Sequence, residues 1–432
     1  MSASDYDVIV VGGGPSGLMA AIASQSLGAK TILVEKGHKL GQKLGISGGG
    51  RCNVTNAKPL DQFIQNIPGN GRFLYSALSN FGNRDIIQFF ENLGINLKEE
   101  DRGRVFPVSN KASTVVKALV DRVITVGVEI RQDSPVCGLQ VQDQKIQGIM
   151  LTSGHPILAH AVIVATGGAS VPRTGSTGDA YAWAQALGHT IVNPYPTEVP
   201  LTSDALLIRQ RRLQGLSLQN IIIRLVTGHH KTLATESGDI LFSHFGLTGP
   251  AALRLSHYVS TALRQPSPPT MTALIDLAPD RSDKRLTDQL QQGRLDSPRR
   301  QIRRFMNQTW PERLADILLE TVNIPASLPM GQVSNAQFQA LAQVTKNFPL
   351  AITGTLPLEK ATVTGGGISV KDIDPRTMAS KRCQGLYFAG EVIDVHAHTG
   401  GYNITVAFST GHCAGTHAAL FTDQYGKAPS PP

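Results

Sequence analysis

The sequence lacks the features that mark membrane, secreted and metal-binding proteins. None of its apolar runs is long enough to span a bilayer, and a short polar leader passes into a strand without the regions of a secretory signal. The four cysteines stand far apart and form no CxxC pair, which disfavours a zinc site and a disulfide framework. We therefore expect a soluble, cytoplasmic protein without a metal.

Positive charge is present but is not concentrated. The 432 residues carry a net charge of +8, and they include 43 Gly and 25 Pro in an otherwise ordinary globular composition. The one dense basic run, residues 299–304, has apolar positions at helical spacing, which predicts a solvated helix face. We therefore expect an anionic ligand such as a pyrophosphate and no nucleic acid.

The N-terminus carries a dinucleotide-binding pattern. A continuous β-branched strand at residues 7–11 is followed at once by a glycine-rich turn and an apolar helix over 18–27. In this pattern one glycine makes the turn, one lets a pyrophosphate approach, and one lets the helix pack on the strand. The turn supplies Gly12, Gly14, Pro15, Ser16 and Gly17 as candidate cofactor-binding residues.

A second strand supports the same interpretation but leaves the nucleotide open. Residues 31–34 form the strand, and Glu35 at its end is placed to accept hydrogen bonds from ribose hydroxyls, with Lys36 beside it. This fingerprint fits NAD and FAD equally. The loop at residues 43–56 tilts the choice to FAD, because three glycines and several polar side chains suit a polar planar ring. Its candidates are Lys43, Ser47, Gly48, Gly49, Gly50, Arg51, Cys52 and Asn53.

The C-terminal region predicts the other half of the same site. An apolar strand runs into Gly390 and Glu391, and a glycine pair, Gly400 and Gly401, opens a helix predicted over 403–420. The first amides of a helix have no intrahelical partners and stabilise negative charge. We expect this helix start to lie against a reduced flavin, and the two chain ends to build one pocket.

Taken together these motifs resemble the BaiN-type (YhiN-type) FAD-dependent flavoproteins, a family related to aminoacetone oxidase that also includes a reductase of dehydro bile acids. The resemblance covers nearly the whole chain. Besides the motifs above it rests on four segments, Ala165–Gly168, Gly175–Asp179, Leu241–Pro250 and Val363–Gly367. It implies an α/β fold with a Rossmann-like, glutathione-reductase-like FAD domain that is interrupted by an inserted β-barrel and a helical subdomain.

Proline-rich and alternating segments place the expected domain boundaries. The Pro194 and Pro196 region ends the first part of the FAD domain, since proline neither continues a helix nor donates within a central strand. We expect the FAD domain at 1–192 and 353–432. The insert spans 193–352, with the barrel at about 193–280 and the helical cap at about 281–352.

The resemblance also implies further site residues. Those expected near FAD are Val136, Thr166, Gly167, Gly168, Gly178, Gly390, Glu391, Gly400, Gly401, Tyr402, Asn403 and Ile404. Candidate catalytic residues are His244, His396 and His398, because a histidine can move a proton near neutral pH beside a hydride transfer. The segment His396–His398 departs from the Asp-Gly of the common family pattern.

The chemistry stays open at this stage. We predict an FAD-dependent oxidoreductase with a small-molecule substrate, which either oxidises a small amine or reduces a C=C bond conjugated to a carbonyl. A flavin-bearing binding or redox-regulatory protein is the alternative. Residues 365–367 lack the spacing of a second fingerprint. Electrons must therefore come from the substrate, from loosely docked NAD(P)H, or from another redox partner.

Overall fold

The computed structural model describes residues 4–228 and 231–426. The chain divides into two compact units: unit 1 comprises residues 1–196 and 358–432, and unit 2 comprises residues 197–357. The chain leaves unit 1 four residues after the predicted boundary at 192 and returns five residues after the predicted boundary at 352. The reason for the later return is a strand that completes the sheet of unit 2.

The first part of the chain opens with a β-α-β unit and continues with further helices and strands. They are β1 Tyr6–Val11, α1 Pro15–Ser26, β2 Thr31–Val34, α2 Gln42–Gly45, β3 Thr55–Asn56, α3 Leu60–Ile64, α4 Tyr75–Asn80, α5 Asn83–Asn92, β4 Leu97–Glu100, β5 Arg104–Pro107, α6 Ala112–Thr125, β6 Glu129–Arg131, β7 Val136–Gln142, β8 Lys145–Leu151, β9 Pro156–Val164, α7 Asp179–Ala186 and β10 Ile191–Thr197.

Unit 2 contributes the middle elements, and the chain then returns to unit 1. The middle elements are β11 Leu201–Thr202, α8 Leu206–Arg209, β12 Ser217–Thr227, β13 Thr232–Phe242, β14 Gly246–Thr248, α9 Pro250–Leu263, β15 Met271–Asp276, α10 Asp283–Asp296, α11 Ile302–Met306, α12 Glu312–Thr321, α13 Asn335–Lys346, β16 Phe348–Ile352 and β17 Gly354–Thr355. The last are β18 Val363–Ile368, β19 Leu386–Phe388 and α14 Tyr402–Gly426.

The core of unit 1 is a parallel sheet that brings both chain ends together. Strand β1 pairs in parallel with β2 on one side and with β9 on the other, and β19 pairs in parallel with β9. Residues Val8–Val10 of β1 are fully buried, as their β-branched run predicts. The glycine turn after β1 and the Gly390 turn after β19 therefore end at the same edge of the sheet.

Helices α1 and α14 pack closely because of two glycines one helical turn apart. A Cβ atom built on Gly411 would lie 2.2 Å from the Ser16 carbonyl oxygen, and one on Gly415 would lie 2.3 Å from that of Ala20. Only glycine permits this approach of two backbones. The C-terminal helix is thus fixed against the helix that starts at the dinucleotide fingerprint.

Unit 2 contains an antiparallel sheet that closes on itself. Its strand order is β16-β15-β12-β13-β14-β11-β17, and β16 and β17 at the two ends are separated by Thr353 alone. One bent strand therefore pairs with β15 at one half and with β11 at the other. Because Phe348–Ile352 belongs to this sheet, the helical layer ends earlier than the predicted cap at 281–352.

The helical layer of unit 2 forms its own apolar core with the sheet. In α11 the side chains of Ile302 and Met306 are buried, whereas Arg299 before the helix and Arg304 within it are exposed. The basic run singled out in the sequence is thus one exposed side of a short helix whose other side packs inward.

Candidate functional site

The three fingerprint glycines differ in what surrounds them. A Cβ on Gly12 would lie 2.5 Å from the Ala165 carbonyl oxygen, and one on Gly17 would lie 1.8 Å from that of Gly12. A Cβ on Gly14 would meet no atom within 4 Å. Gly12 and Gly17 are therefore required by packing. Gly14 borders open space at the start of α1, where neither an acidic side chain nor a side-chain cap occupies the helix amides.

Glu35 and Lys36 follow β2 beside this turn. The Glu35 carboxylate accepts hydrogen bonds from the amides of Gly13, at 2.7 Å, and Gly37, at 2.8 Å. Lys36 forms an ion pair of 2.5 Å with Asp179 in the first turn of α7. The carboxylate of Glu35 is therefore fixed at the rim of the glycine turn, where the fingerprint expects a ribose.

Glu391 lies at the centre of a polar cluster that joins four parts of the chain. It forms an ion pair of 2.6 Å with Lys43 and accepts hydrogen bonds from the Thr364 amide at 2.7 Å and the Ser170 hydroxyl at 3.1 Å. Burial by itself raises the pKa of Glu391. The Lys43 charge, with the Thr364 and Ser170 hydrogen bonds, outweighs it and holds that pKa below its usual range.

The loop at 43–56 contains a glycine run in an unusual conformation. Gly48, Gly49 and Gly50 all have positive φ, and a Cβ on Gly49 or Gly50 would meet no atom within 4 Å. Ser47 donates to the Leu44 carbonyl oxygen at 2.7 Å. The run therefore exposes backbone rather than side chains, as expected of a surface built to lie against a ring.

Two residues of this loop make contacts within the protein. Arg51 forms an ion pair of 2.5 Å with Glu100 and lies 4.1 Å from the centre of the Phe106 ring. Cys52 is fully buried, and its burial raises the pKa of the thiol to about 12. Arg51 therefore anchors the loop to the β3-β5-β4 sheet, and Cys52 stays a neutral thiol at physiological pH.

The start of α14 packs against the same loop. A Cβ on Gly401 would lie 2.4 Å from the Thr55 carbonyl, and the Asn56 amide group donates to the Gly400 carbonyl oxygen at 2.9 Å. The next residues are largely buried: Tyr402 packs edge-on against Phe63 with ring centres 4.8 Å apart, and Ile404 is half-buried. The loop and the start of α14 therefore lie together. That the two chain ends build one flavin pocket stays a prediction.

Buried polar atoms without a partner give a test of whether this region fits a cofactor. Among the residues that the structure describes, Asn53 Oδ1, Thr166 Oγ1 and the Tyr181 hydroxyl are buried without a hydrogen-bond partner. Buried polar groups are normally paired, because leaving one unpaired costs about 1–3 kcal/mol. Thr166 follows β9, and Asn53 Oδ1 lies near Gly401. A ligand rich in donors and acceptors therefore fits this region.

The other predicted residues lie in several turns of unit 1 and at the start of β7. Gly167 and Gly168 follow Thr166, and a Cβ on Gly168 would lie 2.3 Å from Thr364 Oγ1. Gly178 precedes α7 with positive φ beside the Tyr181 ring, and half-buried Val136 begins β7. A Cβ on Gly390 would lie 2.5 Å from Ser16 Oγ, so that turn contacts the first residues of α1.

The three candidate histidines belong to two different units of the chain. His396 and His398 are buried in the segment before α14, with exposed fractions of 2% and 5%. Asn403 holds this segment through its side chain, which accepts from the Ala397 amide at 2.9 Å and donates to the Ala397 carbonyl oxygen at 2.7 Å. His244 is exposed in the turn between β13 and β14 of unit 2.

Sequence reasoning missed three residues of this region. Ser170 and Thr364 complete the Glu391 cluster, and Tyr181 supplies a buried hydroxyl whose pKa is raised by burial and by the charges of Glu391 and Asp394. Ser170 follows the Ala165–Gly168 segment and Thr364 lies in the Val363–Gly367 segment. Their position beside these two motifs was the signal in the sequence that could have identified Ser170 and Thr364 as site residues.

The fold and these contacts define a flavoprotein of the dinucleotide-binding class. The chain belongs to the HI0933-like protein Rossmann domain family, which matches residues 6–417. It is 30% identical over 412 residues to a ribosomal RNA dihydrouridine synthase of Haemophilus influenzae, covering 94% of this chain and 97% of that protein. It is 28% identical over 419 residues to a 3-dehydro-bile acid Δ(4,6)-reductase of Clostridium scindens, covering 95% and 98%.

A solved structure shows the same fold. The 3-ketosteroid Δ1-dehydrogenase of Sterolibacterium denitrificans superposes with a TM-score of 0.53 at 14% identity, covering 96% of this chain and 99% of that one. The α/β fold, the cofactor FAD and the oxidoreductase class predicted from the sequence are thus confirmed. The chain is an FAD-dependent oxidoreductase.

Two further observations concern only the described part of the chain. Across residues 4–228 and 231–426, no helix has the length and apolarity needed to cross a membrane. Over the same residues, no group of three or more His, Cys, Asp or Glu side chains is arranged to hold a metal ion.

Proposed function

We propose that this protein reduces a C=C bond conjugated to a carbonyl group. The observation that carries this proposal is the pair of full-length relatives. One is named for making dihydrouridine and the other for reducing a 3-dehydro-bile acid, and both names describe saturation of a C=C bond next to a carbonyl. This supports the reductase version of the predicted chemistry over amine oxidation.

We propose a uracil ring carried by RNA as the reacting group. A relative that is 30% identical is named for ribosomal RNA, and the net charge of +8 favours a polyanion over a steroid. This proposal departs from the expectation that nucleic acid is not a partner, which rested on the absence of a basic cluster. A 3-oxo steroid with a 4,6-diene is the second candidate, because the match to the bile-acid reductase covers 98% of that protein.

The chain's own residues would hold FAD as follows. The amides at the start of α1, next to open Gly14, would bind the pyrophosphate, and Glu35 would bind the adenosine ribose. Asn53 Oδ1 and Thr166 Oγ1, which are buried and lack partners among the described residues, would receive donors of the cofactor. The amides from Gly400 to Asn403 would stabilise negative charge on the reduced ring.

The site must deliver one hydride and one proton. When bound, reduced FAD supplies a hydride to the carbon β to the carbonyl, and the α carbon takes a proton. We propose His396 or His398 as the source of that proton, because both are buried in the segment that Asn403 fixes before α14. His244 remains a candidate on unit 2.

We propose loosely docked NAD(P)H as the electron donor. The Gly365–Gly367 segment lies within the buried strand β18, which pairs with β10. In the described residues, α1 is the one helix that follows a strand-Gly-x-Gly-x-x-Gly turn, so the structure offers no second dinucleotide domain of that kind.

The proposal is tested by anaerobic reoxidation of the reduced protein. We expect NADH or NADPH to bleach the flavin absorbance, and a uridine-containing RNA to restore it while the RNA gains two hydrogens in mass. Restoration by a 3-oxo-4,6-diene steroid alone would favour the second candidate. Restoration by neither, with bleaching by small amines and reoxidation by oxygen, would refute the reductase proposal in favour of an amine oxidase.

A further inference from the structure

The helical layer of unit 2 has a strongly basic part that the proposed redox site does not use. Residues 281–313 contain nine Lys or Arg and four Asp or Glu. Near the end of this stretch every basic residue is an arginine: Arg299, Arg300, Arg303, Arg304 and Arg313. Arginine presents a planar set of donors that matches phosphate geometry, which lysine does not.

Helix α12 links this run to a second group of arginines. Its acidic residues Glu312, Asp316 and Glu320 recur every four positions and therefore lie on one side of the helix. Arg303 of α11 pairs with Glu312 at 2.5 Å and with Asp316 at 2.6 Å, and Arg212 after α8 pairs with Glu320 at 2.6 Å. The two arginine groups thus flank one side of α12.

These ion pairs engage all three acidic side chains on that side of α12. Other arginines of the same two groups have no carboxylate partner among the described residues. Arg211, Arg299 and Arg304 are exposed, and Arg300 is half-buried. Within the described part of the chain, no carboxylate lies at ion-pair distance from any of these four. Arg300 also donates to the Arg304 carbonyl oxygen at 2.9 Å, which holds the two residues together.

We propose that this arginine surface, formed by Arg211, Arg299, Arg300 and Arg304, binds the phosphate backbone of RNA. The inference rests on the proposed function, because it supplies the docking surface for an RNA that carries the reacting uracil. Charge complementarity decides the occupant: four arginines without acidic partners form a site for a polyanion, whereas an acidic protein would also need apolar contact area. The surface binds backbone and carries no sequence preference of its own.

The test compares two double variants that remove the same charge from the same unit. Arg299→Gln with Arg304→Gln alters the arginine surface. Lys284→Gln with Arg285→Gln is the matched control, since both residues are exposed at the start of α10, and Asp296 at the other end of that helix is about 18 Å farther along its axis. Affinity for a fluorescein-labelled RNA stem-loop is measured over a range of salt concentrations, and polyglutamate is the competing acidic polymer.

We expect the arginine variant to bind the stem-loop at least about tenfold more weakly near physiological salt. The negative slope of log K against log salt should become shallower by about 1.5, as expected for two lost phosphate contacts. The control pair should change affinity less than threefold, and polyglutamate should not displace the RNA. Flavin content and unfolding temperature should stay those of the wild type. Equal weakening by both pairs, or displacement by polyglutamate, would show general charge attraction and overturn the proposal.

This outcome is separable from that of the proposed reaction. If the stem-loop binds through the arginine surface but does not reoxidise the reduced flavin, the reductase proposal fails and the docking surface stands. If the stem-loop gains two hydrogens while the arginine variant binds it as the wild type does, the docking surface fails and the reaction stands.

Discussion

Gly14 and Gly17 give opposite predictions although they are three residues apart in one motif. A Cβ on Gly14 would meet nothing within 4 Å, and its backbone angles, φ −78° and ψ −178°, are allowed for any residue. The Gly14→Val variant should therefore fold normally. The new side chain would occupy the space next to the first amides of α1, where we place the pyrophosphate.

The Gly17→Ala variant should already be destabilised as the apoprotein, before FAD is bound. The new methyl group would lie 1.8 Å from the Gly12 carbonyl oxygen, about half of a normal contact distance of 3.5–4.0 Å. Because the clash involves backbone on both sides, α1 must move away from β1. Overpacking of this kind costs about 1–3 kcal/mol and occasionally more, so we expect at least about 3 kcal/mol.

Two measurements on apoprotein separate these effects. The free energy of unfolding in urea should change by less than about 1 kcal/mol in Gly14→Val and fall by at least about 3 kcal/mol in Gly17→Ala. Titration with FAD should show at least a hundredfold weaker binding in Gly14→Val, about 2.7 kcal/mol. Unchanged FAD affinity in Gly14→Val would refute the placement of the pyrophosphate, and an unfolded Gly14→Val would show that the space is not open.

Further predictions concern charge and thiol chemistry. Glu391→Gln should lower the free energy of unfolding at neutral pH by about 1–3 kcal/mol, because the pair with Lys43 is about three-quarters buried. The folded state lowers the pKa of Glu391, so its stabilisation is complete above the ordinary value of 4.5 and is lost as the pH falls through the lowered pKa; acid unfolding curves of the variant should lack that component. A thiol reagent at mildly alkaline pH should label exposed Cys137, while Cys52, with a pKa raised to about 12, stays unmodified in peptide mass maps until the protein unfolds. Lys346→Met should destabilise unit 2 by about 2–4 kcal/mol in urea unfolding, because it removes the ion-pair partner of the largely buried Asp276 carboxylate and the donor to the Ala278 and Arg281 carbonyl oxygens at 2.8 Å.

The sequence predicts those parts of the site that depend on local backbone geometry. The β1 strand, the Gly12–Gly17 turn and α1 are adjacent in the chain, and each glycine can be assigned from spacing alone. The Glu391 cluster could not be predicted in this way, since its Lys43 partner is 348 residues distant and Ser170 and Thr364 carry no motif of their own. An inserted barrel was expected from the family resemblance, but the strand at 348–352 that completes it was missed for a related reason. Phe348–Ile352 follows four helices, so its pairing with β15 is not visible in any local pattern.

The segment His396–His398, where we expect a departure from the family pattern, is held by hydrogen bonds to its backbone. Two of its residues are held: the Asn403 side chain accepts from the Ala397 amide and donates to the Ala397 carbonyl oxygen, and the His398 amide donates to the Asn66 carbonyl oxygen at 2.9 Å. These bonds use backbone atoms and therefore do not depend on which side chains stand at 396 and 398. The packing between Gly69 and the His396 ring does depend on the side chain at 396. A Cβ on Gly69 would lie 2.1 Å from the ring nitrogen Nδ1 of His396. Glycine at position 69 is thus what permits an imidazole here. Gly69 and His396 should therefore be replaced together if Asp-Gly is to be introduced into the segment His396–His398 without leaving a cavity.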